Sequence, residues 1–266
     1  MRKNVLNAPV DVLSGTETLD VLSSWISQDH KMKLVVTAYS EFYVRAQSDS
    51  EFLKILQSAD LVTPDGVSVL AGVKYSERVR GMGCIGRLAQ GLRVGGEILS
   101  GKVGKPVTGV WLFENLTKMA AMNGWKVFLL GGWDNVSEKT ARMLLKRFPK
   151  LKLSYDAGET RVGADDVTNK RVIEKINKFA PDILFVSYNP IKQEKWLAKN
   201  REILKAKIGI GVGGTFDEMA GKVKKAPKWM EKMGLKWLWR VLTEPKRFGR
   251  IMKAVFVFPW LVFKNK

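Results

Sequence analysis

Short apolar runs alternate with longer amphipathic segments along most of this chain. Runs rich in β-branched and aromatic residues predict buried strands, and residues at helical spacing between them predict amphipathic helices. Strands are predicted at 10–13, 33–37, 61–63, 125–132, 151–155, 182–188 and 207–212, and helices at 16–26, 40–56, 110–123, 138–147 and 164–179. Such alternation indicates an α/β fold: Rossmann-like, with a mostly parallel sheet flanked by helices.

Two predicted strands end in polar residues. Thr37 closes the run at 33–37, and Asp65 lies in the turn Pro64-Asp65-Gly66 after the run at 61–63. Ligands of open α/β sheets bind at the carboxyl ends of the strands, where both residues would lie. A carboxylate there is a candidate general base. The alternative is that Asp65 serves only as a turn residue.

Glycine marks two further features. Gly131 and Gly132 follow a strand and precede a helix that Ser137 is predicted to cap, and such a unit can hold a phosphate at helix N-terminal amides. Residues 76–105 mix eight glycines with Lys and Arg, and Ile85, Leu88 and Leu92 could share one helical face. We interpret this segment as a mobile, basic, Gly-rich active-site loop holding a short amphipathic helix. The alternative is a solvated insertion.

The charge of the chain implies an acidic partner. The net charge is +19 over 266 residues, which suits nucleic acid, anionic lipid or a phosphorylated substrate. Residues 222–266 hold 13 Lys and Arg against two Glu, a net charge of +11, together with many Trp and Phe. Basic amphipathic helices with aromatic residues lie in membrane interfaces. We therefore expect a core domain at 1–221 and a membrane-associating helical appendage at 222–266, with docking on the core as the alternative.

Other sequence features narrow the function. No signal peptide and no transmembrane run is evident, and a single cysteine, Cys84, fits a reducing cytosol. The single histidine, His30, argues against His-based catalysis, and no convincing Asp-x-Asp loop for a divalent metal is evident.

In their order and spacing, the motifs resemble the WecG/TagA/CpsF glycosyltransferases. The matching motifs are Thr37 after a strand, Ala59-Asp60-Leu61-Val62-Thr63-Pro64-Asp65-Gly66, Val127-Phe128-Leu129-Leu130-Gly131-Gly132, Pro181-Asp182-Ile183-Leu184-Phe185-Val186, Pro190-Ile191-Lys192-Gln193-Glu194-Lys195-Trp196, Gly211-Val212-Gly213-Gly214-Thr215-Phe216-Asp217 with Ala220-Gly221, Ala226-Pro227-Lys228-Trp229, Gly234-Leu235-Lys236-Trp237-Leu238-Trp239-Arg240 and Glu244-Pro245-Lys246-Arg247.

The resemblance implies an inverting, metal-independent transfer without a cofactor. An N-acetylmannosamine-type sugar would pass from a UDP-sugar donor to N-acetylglucosamine on a polyprenyl diphosphate, in cell-surface polysaccharide or wall teichoic acid biosynthesis. Asp65 would be the base, with Thr37 and Gln193 lining the site. The resemblance places Gly131, Gly132, Gly213, Gly214 and Asp217 near the nucleotide and Arg240, Arg247 and Arg250 at the diphosphates. The enzyme would lie peripherally on the inner face of the cell membrane.

The chain departs from the family at four positions. Lys225 stands where the family has Arg before Ala-Pro. Tyr39, Pro106 and Trp111 stand where the family usually has Asn, Arg and Asp. One alternative is therefore a catalytically altered, membrane-bound scaffold of polysaccharide assembly. A basic nucleic-acid-binding protein is a second alternative, but no nucleic-acid-binding motif is visible, so we expect no nucleic-acid partner. The sequence leaves open whether the chain forms a homo-oligomer.

Overall fold

A computed structural model describes residues 1–28, 31–132, 135–158, 166–222, 227, 230, 236–243 and 248–265. His30 lies outside the described residues. The strands are β1 (Arg2–Val5), β2 (Ala8–Asp11), β3 (Lys33–Ala38), β4 (Leu61–Pro64), β5 (Lys126–Gly131), β6 (Lys152–Asp156), β7 (Ile183–Ser187) and β8 (Ile208–Gly211).

The described helices surround these strands. They are α1 (Gly15–Ile26), α2 (Ser40–Ala46), α3 (Ser50–Ser58), α4 (Val67–Arg78), α5 (Cys84–Leu99), α6 (Gly109–Asn123), α7 (Val136–Arg147), α8 (Asp166–Phe179), α9 (Lys192–Asn200), α10 (Thr215–Met219), α11 (Lys236–Thr243), α12 (Phe248–Met252) and α13 (Phe258–Lys264), with a π-helical turn at Lys253–Val257 between the last two. None of these helices is long and apolar enough to cross a membrane.

Six strands form one parallel sheet, which confirms the predicted α/β fold. Their order is β4-β3-β8-β7-β5-β6. The connection from β5 leads outward to β6, whereas that from β7 leads the opposite way to β8. The loops after β5 and β7 therefore diverge, and such a switch point opens a crevice at the carboxyl edge of the sheet.

The sheet is covered on both faces, because its strands alternate side chains between two apolar cores. On β5, Phe128 and Leu130 join one core and Val127 and Leu129 the other, all fully buried. The first core is completed by α2, α3, α4, α8 and α9, and the second by α1, α6, α7 and α10. Helices on both faces leave the strand ends as the surface on which a site can be built.

The N-terminal region and the segment after β3 differ from the sequence prediction. Residues 2–11 form an antiparallel hairpin, β1–β2, instead of one weak strand. Asp11 accepts hydrogen bonds from the Arg2 guanidinium and from the Val62 N–H, 2.8 Å away, which fixes the hairpin to the edge strand β4. The single helix predicted at 40–56 is two helices, because Asp49 caps α3 by accepting from the Phe52 N–H at 3.0 Å.

Residues 76–105 are mostly helical, so the interpretation as a loop with a short helix is wrong in its local structure. Helix α5 has 16 residues and runs beside α4. Glu97 anchors it through Arg78, with the nearest oxygen and nitrogen 2.8 Å apart. Only Val94 of α5 is buried in the core, so tertiary contacts with α4 hold a segment that its glycines make a weak helix former.

The C-terminal segment is partly docked on the core. Phe258 and Val262 of α13 are buried, and the Phe258 ring lies 5.9 Å from the ring of Tyr43 on α2. The other face stays exposed, with Phe256 and Trp260 60% and 61% accessible. Docking on the core, kept as the alternative to membrane contact, is therefore seen for one face of this segment.

Candidate active site

Thr37 and Asp65 lie side by side at the carboxyl edge of the sheet. Thr37 pairs with Thr63 in the β3–β4 register, and the Asp65 N–H donates to the Ala38 carbonyl at 2.9 Å. On its other side, the buried Thr37 hydroxyl donates to the Gly211 carbonyl at 2.9 Å. The two residues predicted from strand ends are thus brought together, with the half-buried Asp65 at the mouth of the edge.

The loop after β8 is held by side chains from two neighbouring segments. The Gly213 N–H donates to Oε1 of Gln193 at 3.0 Å, and the Ser187 hydroxyl donates to the Gly213 carbonyl at 2.5 Å. Gly213 has φ 53° and no atom within 4 Å of where its Cβ would lie, so its surface is open to a ligand. Gln193 is 2% exposed and supports this loop from below.

Gly131 and Gly132 lie at the switch point between β5 and β7. A Cβ on Gly131 would lie 2.6 Å from the Ser187 carbonyl oxygen, and its φ of 101° also favours glycine. The Gly132 N–H donates to that same oxygen at 3.0 Å. The contact of Gly131 explains why glycine is required there: the backbones of β5 and β7 approach too closely for a side chain.

Three helix N-termini lie along this edge, after β4, β5 and β8. The N-cap residues Gly66, Asn135 and Gly214 of α4, α7 and α10 make no side-chain hydrogen bond to their helices. Helix N-termini carry partial positive charge and N–H donors, so they suit a diphosphate. Asp217 lies in the first turn of α10. The prediction that Ser137 caps α7 is wrong. Asn135 takes the cap position, and Ser137 is the second residue of the helix.

Glu194 is a fully buried carboxyl group beneath the site. Its two oxygens accept hydrogen bonds from the side-chain amide of Gln193 at 2.6 Å and from the Ile191 N–H at 2.7 Å. Burial raises the pKa of Glu194 to about 7, and these hydrogen bonds only partly oppose the effect. A Cβ on Gly211 would lie 2.4 Å from Glu194 Oε1, so β8 passes directly over the carboxyl.

The turn that carries Gln193 and Glu194 is strained. Ile191 has φ 74°, a conformation rare for β-branched residues. Its N–H is held by Glu194, and the following residues open α9. Strain of this kind persists where surrounding contacts impose it, and it clusters at functional sites.

Asp156 provides a charged cluster at the far end of the edge, on β6. Its oxygens accept from Arg171 at 2.9 and 3.0 Å, from Lys175 at 2.8 Å and from the Gly158 N–H at 2.8 Å. Burial opposes ionisation, but these hydrogen bonds outweigh it and hold the pKa of Asp156 far below its usual range. The ionised carboxylate therefore neutralises the nearby basic groups.

Sequence reasoning missed three contributors to the site: Ser187, Glu194 as a buried acid, and the N-terminus of α6. A Cβ on Gly109 would lie 3.2 Å from the Thr37 hydroxyl, so α6 abuts the site where Thr108 caps it. The adjacent polar residues Gln193 and Glu194 could have indicated this part of the site. They open a helix that follows a buried strand, and such residues lie at the carboxyl edge of the sheet. Nothing local in the sequence marked Ser187 or Gly109.

The atypical residues Tyr39 and Trp111 are engaged in packing. The Tyr39 hydroxyl donates to Glu41 at 3.0 Å, and its ring lies 4.7 Å from that of Phe42. The Trp111 ring covers Gly15, where a Cβ would lie 2.6 Å from it. Both side chains thus have structural partners next to the site.

The side chains of the predicted phosphate-binding arginines lie outside the described residues. Arg247 is outside them, and of Arg240 on α11 and Arg250 on α12 only the helical position is described. Within the described ranges, no three His, Cys, Asp or Glu side chains come together as a metal site. Metal independence stays a prediction.

Comparison with known proteins identifies the family of this chain. The model of the glycosyl transferase WecG/TagA/CpsF family matches residues 3–90 and 75–266. The chain is 27% identical to proteins of Staphylococcus aureus strains MRSA252 and NCTC 8325 / PS 47, over 97% of this chain and 94% of theirs. Both are named N-acetylglucosaminyldiphosphoundecaprenol N-acetyl-beta-D-mannosaminyltransferase. Since the matches span nearly the whole chain, it belongs to the WecG/TagA/CpsF family of glycosyl transferases.

Proposed function

We propose that this chain transfers an N-acetylmannosamine-type sugar from a UDP donor to N-acetylglucosamine on a polyprenyl diphosphate. The observation that carries the proposal is the placement of Asp65 beside Thr37 at the carboxyl edge of the sheet, where helix N-termini also follow β5 and β8. The names of the Staphylococcus aureus relatives support the acceptor and the sugar. The product would serve cell-surface polysaccharide or teichoic acid synthesis.

The chemistry follows from the positions of the groups. Asp65 takes the proton of the acceptor hydroxyl, whose oxygen bonds to the anomeric carbon of the sugar while the bond from that carbon to the UDP oxygen breaks. Attack from the face opposite UDP inverts the configuration. The helix N-termini after β5 and β8 stabilise the negative charge that develops on the leaving diphosphate. Arg240, Arg247 and Arg250 would add guanidinium groups to this task.

The membrane is the expected location of the acceptor. The basic segment 222–266 would hold the enzyme peripherally on the inner face of the cell membrane, through Lys and Arg near anionic headgroups and through exposed aromatic residues such as Phe256 and Trp260. Vesicle flotation in the presence of competing nucleic acid separates this role from nucleic-acid binding.

Asp65→Asn tests the proposal. The variant keeps the size of the side chain and removes the base, so turnover with a UDP-sugar panel and a lipid-diphosphate-GlcNAc analogue should fall by about 10²- to 10⁴-fold. Asp20→Asn, which changes an exposed carboxylate on α1, is the matched control and should keep full turnover. Wild-type turnover in a folded Asp65→Asn protein would exclude Asp65 as the base.

The same panel decides the alternative of a catalytically altered scaffold. That alternative is motivated by Tyr39, Pro106 and Trp111. The side chains of Tyr39 and Trp111 are engaged in packing beside the site. A wild-type protein that transfers none of the UDP-sugars, yet binds vesicles, would be the scaffold.

A further inference from the structure

Helix α5 carries an exposed apolar stripe that the proposed chemistry does not use. Ile85, Leu88, Leu92 and Leu99 recur at helical spacing and are 87%, 58%, 74% and 70% exposed. Gly95 and Gly96 lie in the same stripe, and a Cβ on either would meet no atom within 4 Å. The opposite side of the helix faces the protein through Val94 and Glu97. A contiguous apolar surface of this kind marks an interaction site.

The charges around α5 are basic. Residues 74–105 contain seven Lys and Arg and two Glu. Both acids are paired: Glu97 with Arg78 at 2.8 Å and Glu77 with Lys3 at 2.5 Å. Arg80, Lys102 and Lys105 are exposed near the ends of the helix. An apolar stripe with a basic rim is the pattern of a helix that lies in an anionic membrane interface.

The C-terminal helix α13 is joined to α5. The Arg87 guanidinium lies 5.4 Å from the centre of the Phe263 ring and donates to the Asn265 carbonyl at 2.8 Å. Phe263 in turn stacks on Trp260, which is 61% exposed. The apolar stripe is therefore connected to the segment through which we propose that the enzyme meets the membrane.

We infer that α5 is a second membrane-docking element, which inserts its stripe into an anionic bilayer beside the C-terminal segment. This inference rests on the proposed function for the source of the bilayer. A second copy of the chain is a poorer occupant, because a two-fold contact would bring the same basic rims face to face in a protein of net charge +19. Four glycines and a single buried apolar residue give α5 low local stability, which apolar contact with lipid would raise.

The single cysteine of the chain allows a direct test. Cys84 is exposed and opens α5, so a polarity-sensitive fluorophore attached there reports on the environment of this helix. With vesicles of phosphatidylcholine and phosphatidylglycerol, the emission of the full-length protein should shift to the blue and be quenched by brominated lipids. Vesicles of phosphatidylcholine alone should give a much smaller shift. Unchanged emission from protein that is bound to the anionic vesicles would overturn the inference, because the C-terminal segment would then bind alone.

Substitution of the stripe supplies the second arm. The triple variant Ile85→Gln, Leu88→Gln and Leu92→Gln should lower partition onto the anionic vesicles by about tenfold or more, since three inserted apolar side chains are lost. The matched control is Met122→Gln with Ile203→Gln, which replaces apolar residues that are 75% and 55% exposed on other surfaces. Equal partition of the triple variant and the control would refute the inference.

Two further measurements distinguish membrane docking of α5 from self-association and from the proposed transfer activity. Sedimentation without vesicles should show the same oligomeric state for wild type and triple variant; dissociation of a wild-type oligomer by the variant would assign the stripe to a second copy and overturn the inference. Transfer of the sugar by the wild type to a short, water-soluble acceptor is the second readout. Absence of transfer in the wild type would defeat the proposed function, while the vesicle measurements would still decide the role of α5.

Discussion

Glu194→Gln should change how the stability of this protein depends on pH. The carboxyl is fully buried, and its pKa is raised to about 7 from an ordinary value of 4.5. Between these two values the unfolded chain releases the proton while the folded chain keeps it. The free energy of unfolding therefore falls as pH rises through this window, and the loss is complete above about pH 7. Below about pH 4.5 both states are protonated, so this loss of stability is absent.

The magnitude follows from the shift. A pKa raised from 4.5 to about 7 corresponds to about 3 kcal/mol, most of which develops between about pH 5 and pH 8. Gln at position 194 cannot ionise, but it also loses a hydrogen bond. Both oxygens of Glu194 accept hydrogen bonds, from Gln193 and from Ile191, and the NH₂ group of Gln can accept neither. That loss is constant with pH. The free energy of unfolding of the variant should therefore rise relative to that of the wild type by about 2–3 kcal/mol from about pH 5 to pH 8.

Urea unfolding followed by circular dichroism at several pH values measures this difference. Subtracting the free energy of unfolding of the wild type from that of the variant at each pH cancels the titration of all other groups. Glu174→Gln removes one carboxyl from the exposed surface of α8 and controls for the change of net charge. A difference between Glu194→Gln and wild type that stays flat from about pH 5 to pH 8 would show that Glu194 is not held in a desolvated state.

Two further predictions concern the chemistry and the C-terminal segment. Transfer should persist in excess EDTA, because helix N-termini and arginines take the place of a metal at the diphosphate; a strict requirement for Mg²⁺ or Mn²⁺ would contradict this. Phe258→Ala should lower the free energy of unfolding by about 3–5 kcal/mol, since this ring is buried against Tyr43 and Gly72. Phe256→Ala, at a position 60% exposed, is the control, and an equal loss in both variants would show that α13 does not dock as described.

The local parts of the site were evident from the sequence. The runs ending at Thr37 and Asp65 are short, apolar and rich in β-formers, and Pro64-Asp65-Gly66 has the composition of a turn. Gly131-Gly132 was recognised in the same way. These signals are local, because strand propensity and turn chemistry depend on a few neighbouring residues. Parallel strands expose their carboxyl ends at one edge, so the grouping of these residues followed from the fold class.

Three features of the protein depend on contacts between distant segments: the Gln193–Gly213 contact, the burial of Glu194 and the helical state of α5. Insertion of β7 and β8 between β5 and β3 brings Gln193 to the Gly213 N–H, and no local pattern specifies that strand order. The same packing closes β8 over Glu194, and burial rather than residue type sets the pKa of that carboxyl. In α5, glycines suggested a loop by propensity, but the anchors of Glu97 and Val94 on the rest of the protein make it a helix. Propensity is a weak preference of a fraction of a kcal/mol to about 1 kcal/mol per residue, and tertiary contacts override it.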